Sequence, residues 1–429
     1  MEKLFDEFDQ VSLNDWIQKI EKDLKGKSLD VLKSNPEHDL EVIAYHHGDS
    51  KVSYQPLSKS SGDWTIRIST EGLTNKQILD HLNEGVTGLS FEYNSEFNEK
   101  SKGVLFEHIW SDIHFSNLKN TIGAKVPEQS RLNCDIFSKG AVNGTWPEQK
   151  GDFAQFVKSF PSHKTIGIRA DLFGEAGATT VQELGIACAL VNEYIELLKN
   201  DFSLEEINQK LVVYLSVNDN YFVNISKFNV IRNLIAGIFK AHDENHNYQE
   251  IELVAVTSQR YMAQNDANTN LLRQTTQAMS AILGGCNALT VAGFQEELYQ
   301  RMAKNISLIL KEESYLDKVT NPTEGSYFLQ ELSHQILEKS WAWFKEIESA
   351  GGYCSALEQN RIQNAIEESA NKLIQQVNEG KRTFLGVNKF QSTLEDWKDV
   401  QKQNTHSERA FKAIALLKLE ECFTNNVEA

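Results

Sequence analysis

Lys164-Thr-Ile-Gly-Ile-Arg169-Ala-Asp171-Leu172-Phe-Gly-Glu175-Ala-Gly177-Ala-Thr179-Thr180-Val-Gln-Glu183 decides the fold. An apolar run of strand character passes through a turn of small residues into a helix start. Thr180-Val-Gln-Glu183 has the spacing of a capping box, in which the threonine oxygen takes one orphan backbone N–H and the glutamate takes another. Leu184, Cys188, Val191, Ile195 and Leu198 then recur at the interval of one helix face. A strand followed by such a crossover is the repeating unit of a parallel sheet.

Other strand-like runs begin at Trp64 (WTIRIS), Val86 (VTGLSFEY), Asp112 (DIHFS), Arg131 (RLNCDIF), Leu211 (LVVYLSV), Ile251 (IELVAVTS) and Asn287 (NALTVAGF). Most are followed by amphipathic stretches. Thr74-Asn-Lys-Gln77 is a second capping box, ahead of Ile78, Leu79 and Leu82. Ile225, Phe228, Ile231, Ile235 and Ile238 line a third helix, and Leu271, Leu272, Thr275, Met279 and Ile282 a fourth. The third crossover, 117–130, is short and weakly helical.

Eight largely apolar strands with crossovers predict an α/β fold, a (β/α)8 TIM barrel with its sheet buried on both faces. A doubly wound open sheet fits the same periodicity. Helices alone follow the eighth strand, at 301–313, 327–348, 361–378 and near 405–422. Residues 1–60 read as an N-terminal arm with a helix start at Ser12-Leu-Asn-Asp15, residues 61–390 as the barrel domain, and 391–429 as a helical tail.

Composition bounds the function. The chain has 429 residues, 40% hydrophobic and 24% charged, with six prolines, an ordinary globular composition that favours helices over a loop-rich all-β fold. Its net charge of −17 opposes nucleic acid and anionic membranes, which both need a positive field. No stretch approaches the roughly 18 apolar residues of a membrane span, and the acidic N-terminus is unlike a targeting peptide. Five scattered cysteines without C-x-x-C suit reduced thiols in cytosol, with no zinc site or disulfide framework. A cytoplasmic location is the expectation.

Generic signatures are missing: no phosphate-binding P-loop, no G-x-S-x-G, no H-E-x-x-H. His46-His47 reads as a surface pair and Gly284-Gly285 as a helix C-cap and turn. Asp112-Ile-His114 nearly matches D-x-H-x-x-G, a carboxylate-backed cobalt ligand. It lacks the glycine and falls inside the barrel, so a chance match with a buried or loop histidine is the better reading and no metal site is expected.

Two stretches are more specific. Ile168–Thr179 is one. The other runs Thr257-Ser258-Gln-Arg-Tyr-Met-Ala-Gln-Asn-Asp266, then Asn270-Leu-Leu-Arg273-Gln-Thr-Thr276-Gln-Ala278 and Leu283-Gly-Gly285. With Ala303-Lys-Asn305, Glu312-Glu313-Ser314, Leu316-Asp317-Lys318-Val319, Asn321-Pro322 and Gly325-Ser326-Tyr327, they resemble methylmalonyl-CoA mutase over most of the chain. Lys19-Ile-Glu21-Lys-Asp-Leu-Lys25-Gly-Lys27 and Gln182-Glu-Leu184-Gly resemble the small, or β, subunit of the two-chain bacterial enzyme. The resemblance implies an arm that wraps a partner subunit, a TIM barrel around the CoA chain, and cobalamin held by a further domain. That domain is expected to be missing here. Beyond residue 390 about 39 residues remain, whereas one βαβ unit takes roughly 30 or more.

Set against the catalytic chain of that family, four positions have lost their chemistry. Ser69 replaces the aromatic wedge on the first strand. Asp171-Leu172 replaces a Tyr-His pair, and leucine cannot donate a hydrogen bond to a thioester carbonyl. Val254 and Val256 replace two polar cofactor-facing groups. Asn224 and Asn229 stand in for an acid and a base. A buried polar group without a ligand costs about 1–3 kcal/mol, so a barrel freed from catalysis is expected to fill its axis with apolar or small side chains. Arg67 and Lys227 keep types that could meet CoA phosphates or the substrate carboxylate.

The resemblance therefore implies a non-catalytic small subunit, inactive alone, in a heterodimeric mutase that interconverts methylmalonyl-CoA and succinyl-CoA in propionate metabolism. Adenosylcobalamin belongs on the catalytic large subunit and none on this chain, with a homodimer left open where that partner is absent. Two other readings stay open: the substrate-domain chain of a split mutase, and a regulatory subunit that binds CoA thioesters.

Overall fold

A computed structural model describes residues Asp9, 11–50, 52, 54–92, 110–114, 126, 130–146, 150–263, 267–292, 297–390 and 410–424. All eight sequence-predicted strands form: β1 (Thr65–Ser69), β2 (Gly88–Glu92), β3 (Trp110–His114), β4 (Ser130–Asn133), β5 (Ile166–Arg169), β6 (Leu211–Val217), β7 (Glu252–Thr257) and β8 (Ala288–Thr290). Every pairing is parallel, in the order β4-β3-β2-β1-β8-β7-β6-β5. The two ends of that order meet where the Leu132 amide donates to the Lys164 carbonyl at 2.8 Å, beside a bridge between Arg131 and Lys164. The sheet is a nearly closed (β/α)8 barrel, not an open one.

Helices α1 (Leu13–Asp23), α2 (Asn75–Asn83), α3 (Thr180–Leu198), α4 (Tyr221–His242), α5 (Ala267–Leu283), α6 (Glu297–Leu308), α7 (Tyr327–Ser349) and α8 (Arg361–Asn378) are the long ones. The boxes at Ser12/Asp15 and Thr74/Gln77 form as predicted. The box ahead of α3 is shifted one residue, to Thr179 and Gln182. Its reason is physical: Thr180 and Glu183 are needed elsewhere. The Thr180 amide and hydroxyl both donate to Glu37 of the arm, and Glu183 turns inward.

Thr179 serves twice, accepting from the Gln182 amide and donating its hydroxyl to Asp39 at 2.5 Å. Thr179→Ala removes both bonds while leaving the backbone intact. Urea unfolding is expected to show a loss of about 1–2 kcal/mol; an unchanged midpoint would mean water replaces the cap at no cost.

α3 is buried nearly all round, beyond its predicted stripe. Barrel helices usually leave one face in water, but here α7 crosses the outside of α3 and α4. A side chain at Gly185 would begin 2.5 Å from Trp343 Cδ1, so glycine is what lets the two helices approach. The stripe predicted for α5 is rotated. Leu272 is 68% exposed, while Asn270, Gln274, Gln277, Ala278, Ala281 and Ile282 are buried. Asn270 exchanges bonds with the Ala263 amide and carbonyl, and Gln274 donates to the Ala292 carbonyl. Amides bonded to nearby backbone, Asn270 and Gln274, thus take part of the inner face that hydrophobicity assigned to leucine.

Of the expected 301–313 helix, α6 ends at Leu308 and a π-turn follows at Ile309–Glu313. Within the tail expected to be helical near 405–422, residues 410–418 are irregular and only Leu419–Thr424 is a helix; 405–409 lie outside the described residues. Most of the 117–130 crossover does too. No described helix is long and apolar enough to cross a membrane.

Candidate functional site within the barrel

Strand parity determines what the axis contains. Ile66, Leu89, Ile113, Leu132, Ile168, Val213, Leu253, Ala255 and Leu289 belong to the main core between sheet and helices. Their alternates therefore face inward. Lowest, Arg131 Nε donates to Glu252 Oε2 at 3.0 Å. Next comes a small apolar cluster of Val212, Tyr214, Val254 and Ala288. Above it lies an ionic layer.

Asp112 is its centre and is fully buried. One guanidinium nitrogen of Arg67 (Nη2) donates to Asp112 Oδ2 at 2.6 Å and to Ser90 Oγ at 2.7 Å; the other (Nη1) donates to Thr290 Oγ1 at 2.5 Å. His114 Nε2 lies 3.1 Å from the same carboxylate oxygen. Because an ionised carboxylate can only accept, a hydrogen bond here needs the proton on Nε2, aimed at Asp112. Burial pushes the Asp112 carboxyl up, but the His114 and Arg67 charges beside it pull it further down, well below the usual carboxylate range.

Tyr214 closes the layer. Its ring lies under the Arg67 guanidinium at 5.8 Å and the Arg169 guanidinium at 5.1 Å, a double cation–π contact. Arg169 in turn forms a two-pronged pair with Asp171 at 2.8 and 2.7 Å. Burial and the neighbouring Asp112 push the Tyr214 phenol well above its ordinary range.

The axis is filled at this depth. It was expected to fill with apolar or small groups, and Val254 and Ala288 do so. The layer above is charged instead, because each added charge has an opposite charge within hydrogen-bond distance.

The residues singled out from sequence sit as follows. Arg67 is 7% exposed, held by Asp112 inside the barrel. Lys227 is not at the axis: on α4 it is fully buried, its ammonium 2.6 Å from Glu183 and 3.0 Å from the Ser216 carbonyl. Ser69 is exposed at the end of β1, Val256 and Leu172 are half-buried, and Val254 is buried in the lower layer. Asn224 bonds the Asn218 backbone, and Asn229 lies toward Thr323. His46 bonds Glu331 and lies tilted against the Phe328 ring. No cluster of three or more potential metal ligands occurs among the described residues.

Sequence reasoning passed over Tyr214 and Arg169 and set Asp112-Ile-His114 aside as a chance motif. The available signal was parity: charged residues recur at inward positions of otherwise apolar strands.

The rim of the barrel over β7 is covered by the chain itself. Tyr261 and Ala263, after β7, pack with Val377, Phe384, Val387 and Leu419. The Leu417 and Leu419 amides donate to the carbonyls of Glu175 and Arg260.

A family profile described as methylmalonyl-CoA mutase matches residues 148–422. The chain is 29% identical to the methylmalonyl-CoA mutase small subunit of Porphyromonas gingivalis, over 92% of this chain and 72% of that one. It is 25% identical to the small subunit of Propionibacterium freudenreichii subsp. shermanii, over 76% and 56% of the two chains. With the Escherichia coli methylmalonyl-CoA mutase it shares 30% identity, but over 56% of this chain and only 35% of that protein.

Proposed function

The chain belongs to the methylmalonyl-CoA mutase family, and from that premise we propose that it is the small, non-catalytic subunit of a two-chain mutase. Its partner is the large chain, which carries adenosylcobalamin and interconverts methylmalonyl-CoA and succinyl-CoA. The names of the Porphyromonas and Propionibacterium relatives support this reading. The observation that carries it is the ionic layer of Arg67, Asp112, His114 and Tyr214 across the barrel axis. A thioester arm could pass there only by separating buried opposite charges, at several kcal/mol for each ion left unpaired.

Adenosylcobalamin does not fit the described residues. The rim over β7 is taken by Phe384, Val387 and Leu419 of the same chain. His114 is buried in the axis with Nε2 on Asp112, so it cannot reach a cobalt outside the barrel. Leu172 holds no proton for a thioester oxygen. No step of the rearrangement is routed through this chain.

Its role is architectural: it stabilises the large chain across an obligate interface, typically above ~2,000 Å². Helix α1 supports such a role, since Leu13, Trp16, Ile17 and Ile20 share one face and none is buried within this chain. Co-expression with a large chain is expected to yield a stable heterodimer. Calorimetry of the isolated subunit with methylmalonyl-CoA is expected to give no saturable heat. Isomerisation by the isolated chain, or a monomer that ignores the large chain, would overturn the proposal.

A further inference from the structure

We propose that the cleft between the N-terminus of α3, the loop after β7 and the end of α8 binds a small oxyanion of the phosphate type, with Arg260 as its principal ligand. Arg260 is 3% exposed and lines the cleft. Its guanidinium stacks on Tyr261 at 4.9 Å. Among the described residues no hydrogen bond or ion pair reaches that guanidinium, and its Nε is buried without a partner. A cation so placed is costly unless something satisfies it. Glu175, Asp219 and Glu37 lie near enough to favour its charge, but none of them is within hydrogen-bond distance of the guanidinium, and Glu175 accepts instead from the Gln259 amide at 3.0 Å.

The cleft is built for a negative visitor in a chain of net charge −17. Arg382 and Lys372 line it with Arg260. Gly177, Ala178 and Thr179 bring in the positive end of the α3 dipole. Gly177 has φ +107°, and a side chain there would begin 2.6 Å from the Ala370 methyl, so glycine keeps this wall close. The acids present are already engaged. Asp219 holds Arg382 at 2.6 and 2.7 Å, Glu368 holds Lys372 at 2.7 Å, and both Glu37 oxygens accept from Thr180 and Asn218. Burial, then the nearby Asp39, pushes the Glu37 carboxyl up, which lessens its repulsion of an anion.

The size sets the class. The cavity offers about 40 Å³, against about 10–15 Å³ for one water position by the same measure. That is room for a small free oxyanion. The site lies outside the barrel axis and does not depend on whether the chain is catalytic.

The probe is inorganic phosphate, titrated into the full chain and followed by ³¹P line broadening and thermal shift, with chloride at equal ionic strength as control. Saturable binding absent from the chloride series is expected. Arg260→Gln is expected to weaken it at least about tenfold, and Lys372→Ala, at the half-exposed rim, by a smaller factor. Binding to the wild-type chain that does not saturate, or equal affinity in a folded Arg260→Gln variant, would overturn the site. Should Arg260→Gln fail to fold, an unchanged affinity in Lys372→Ala would overturn it as well.

Discussion

Asp112→Ala is expected to lower the unfolding free energy by about 3–5 kcal/mol, a large part of the 5–15 kcal/mol typical of a folded domain. The carboxylate is the acceptor for both Arg67 at 2.6 Å and His114 at 3.1 Å, and all three are buried. Without it the Arg67 charge loses the carboxylate that balances it, while the Ser90 and Thr290 hydroxyls it also bonds are neutral, and His114 loses the acceptor it faces. The diagnostic control is Arg67→Met with Asp112→Leu. Removing both charges removes the desolvation term too, so the double variant is expected to lie near the wild type, well above either single change. If Asp112→Ala alone is neutral in urea unfolding, the layer is hydrated and the axis is not sealed.

The same carboxylate gives a pH dependence of known sign. Its folded-state proton affinity is depressed, so the unfolded chain takes up the proton first on acidification. The stabilisation is fully present above the ordinary carboxylate range and declines as pH falls through it. Asp112→Ala is therefore expected to flatten the acid limb of the stability curve. A steeper limb in the variant would contradict the assigned pairing.

The fold was legible because its signals are local. Each strand is a short run with apolar residues at the outward parity, and each crossover is marked by caps and a stripe within a few residues. The axis was not legible for the opposite reason. Arg67 and Asp112 belong to different strands and touch only because β1 pairs β2 with Arg67 opposite Gly88, and β2 pairs β3 with Ser90 opposite Asp112. A slip of one residue in either pairing would send one of the two charges outward. Nothing in the strings WTIRIS or DIHFS encodes that register. For α5, polar residues with dedicated backbone partners were indistinguishable in the sequence from polar residues facing water.

Lys227→Met separates the two meanings a lysine in this family's sequence can have. Were Lys227 a contact for a CoA phosphate, its loss would spare stability and lower affinity for the thioester. Its position predicts the reverse. Lys227 and Glu183 are 0% and 1% exposed, 2.6 Å apart, and Glu183 also accepts from the Ser216 amide and hydroxyl at 2.8 and 2.9 Å. Deleting the ammonium leaves that carboxylate with neutral donors in a buried site, at an expected cost of about 3–5 kcal/mol. Glu183→Gln in the same chain should restore part of it, because a neutral amide still accepts from the Ser216 amide without needing a counter-charge. Glu183 comes from the start of α3, Ser216 from the end of β6 and Lys227 from the second turn of α4, so the network ties two successive β/α units together at the upper rim. The loss should therefore appear as earlier unfolding in urea, and partner binding below that transition should persist. A stable Lys227→Met chain with a changed response to CoA thioesters would instead put a ligand in this barrel.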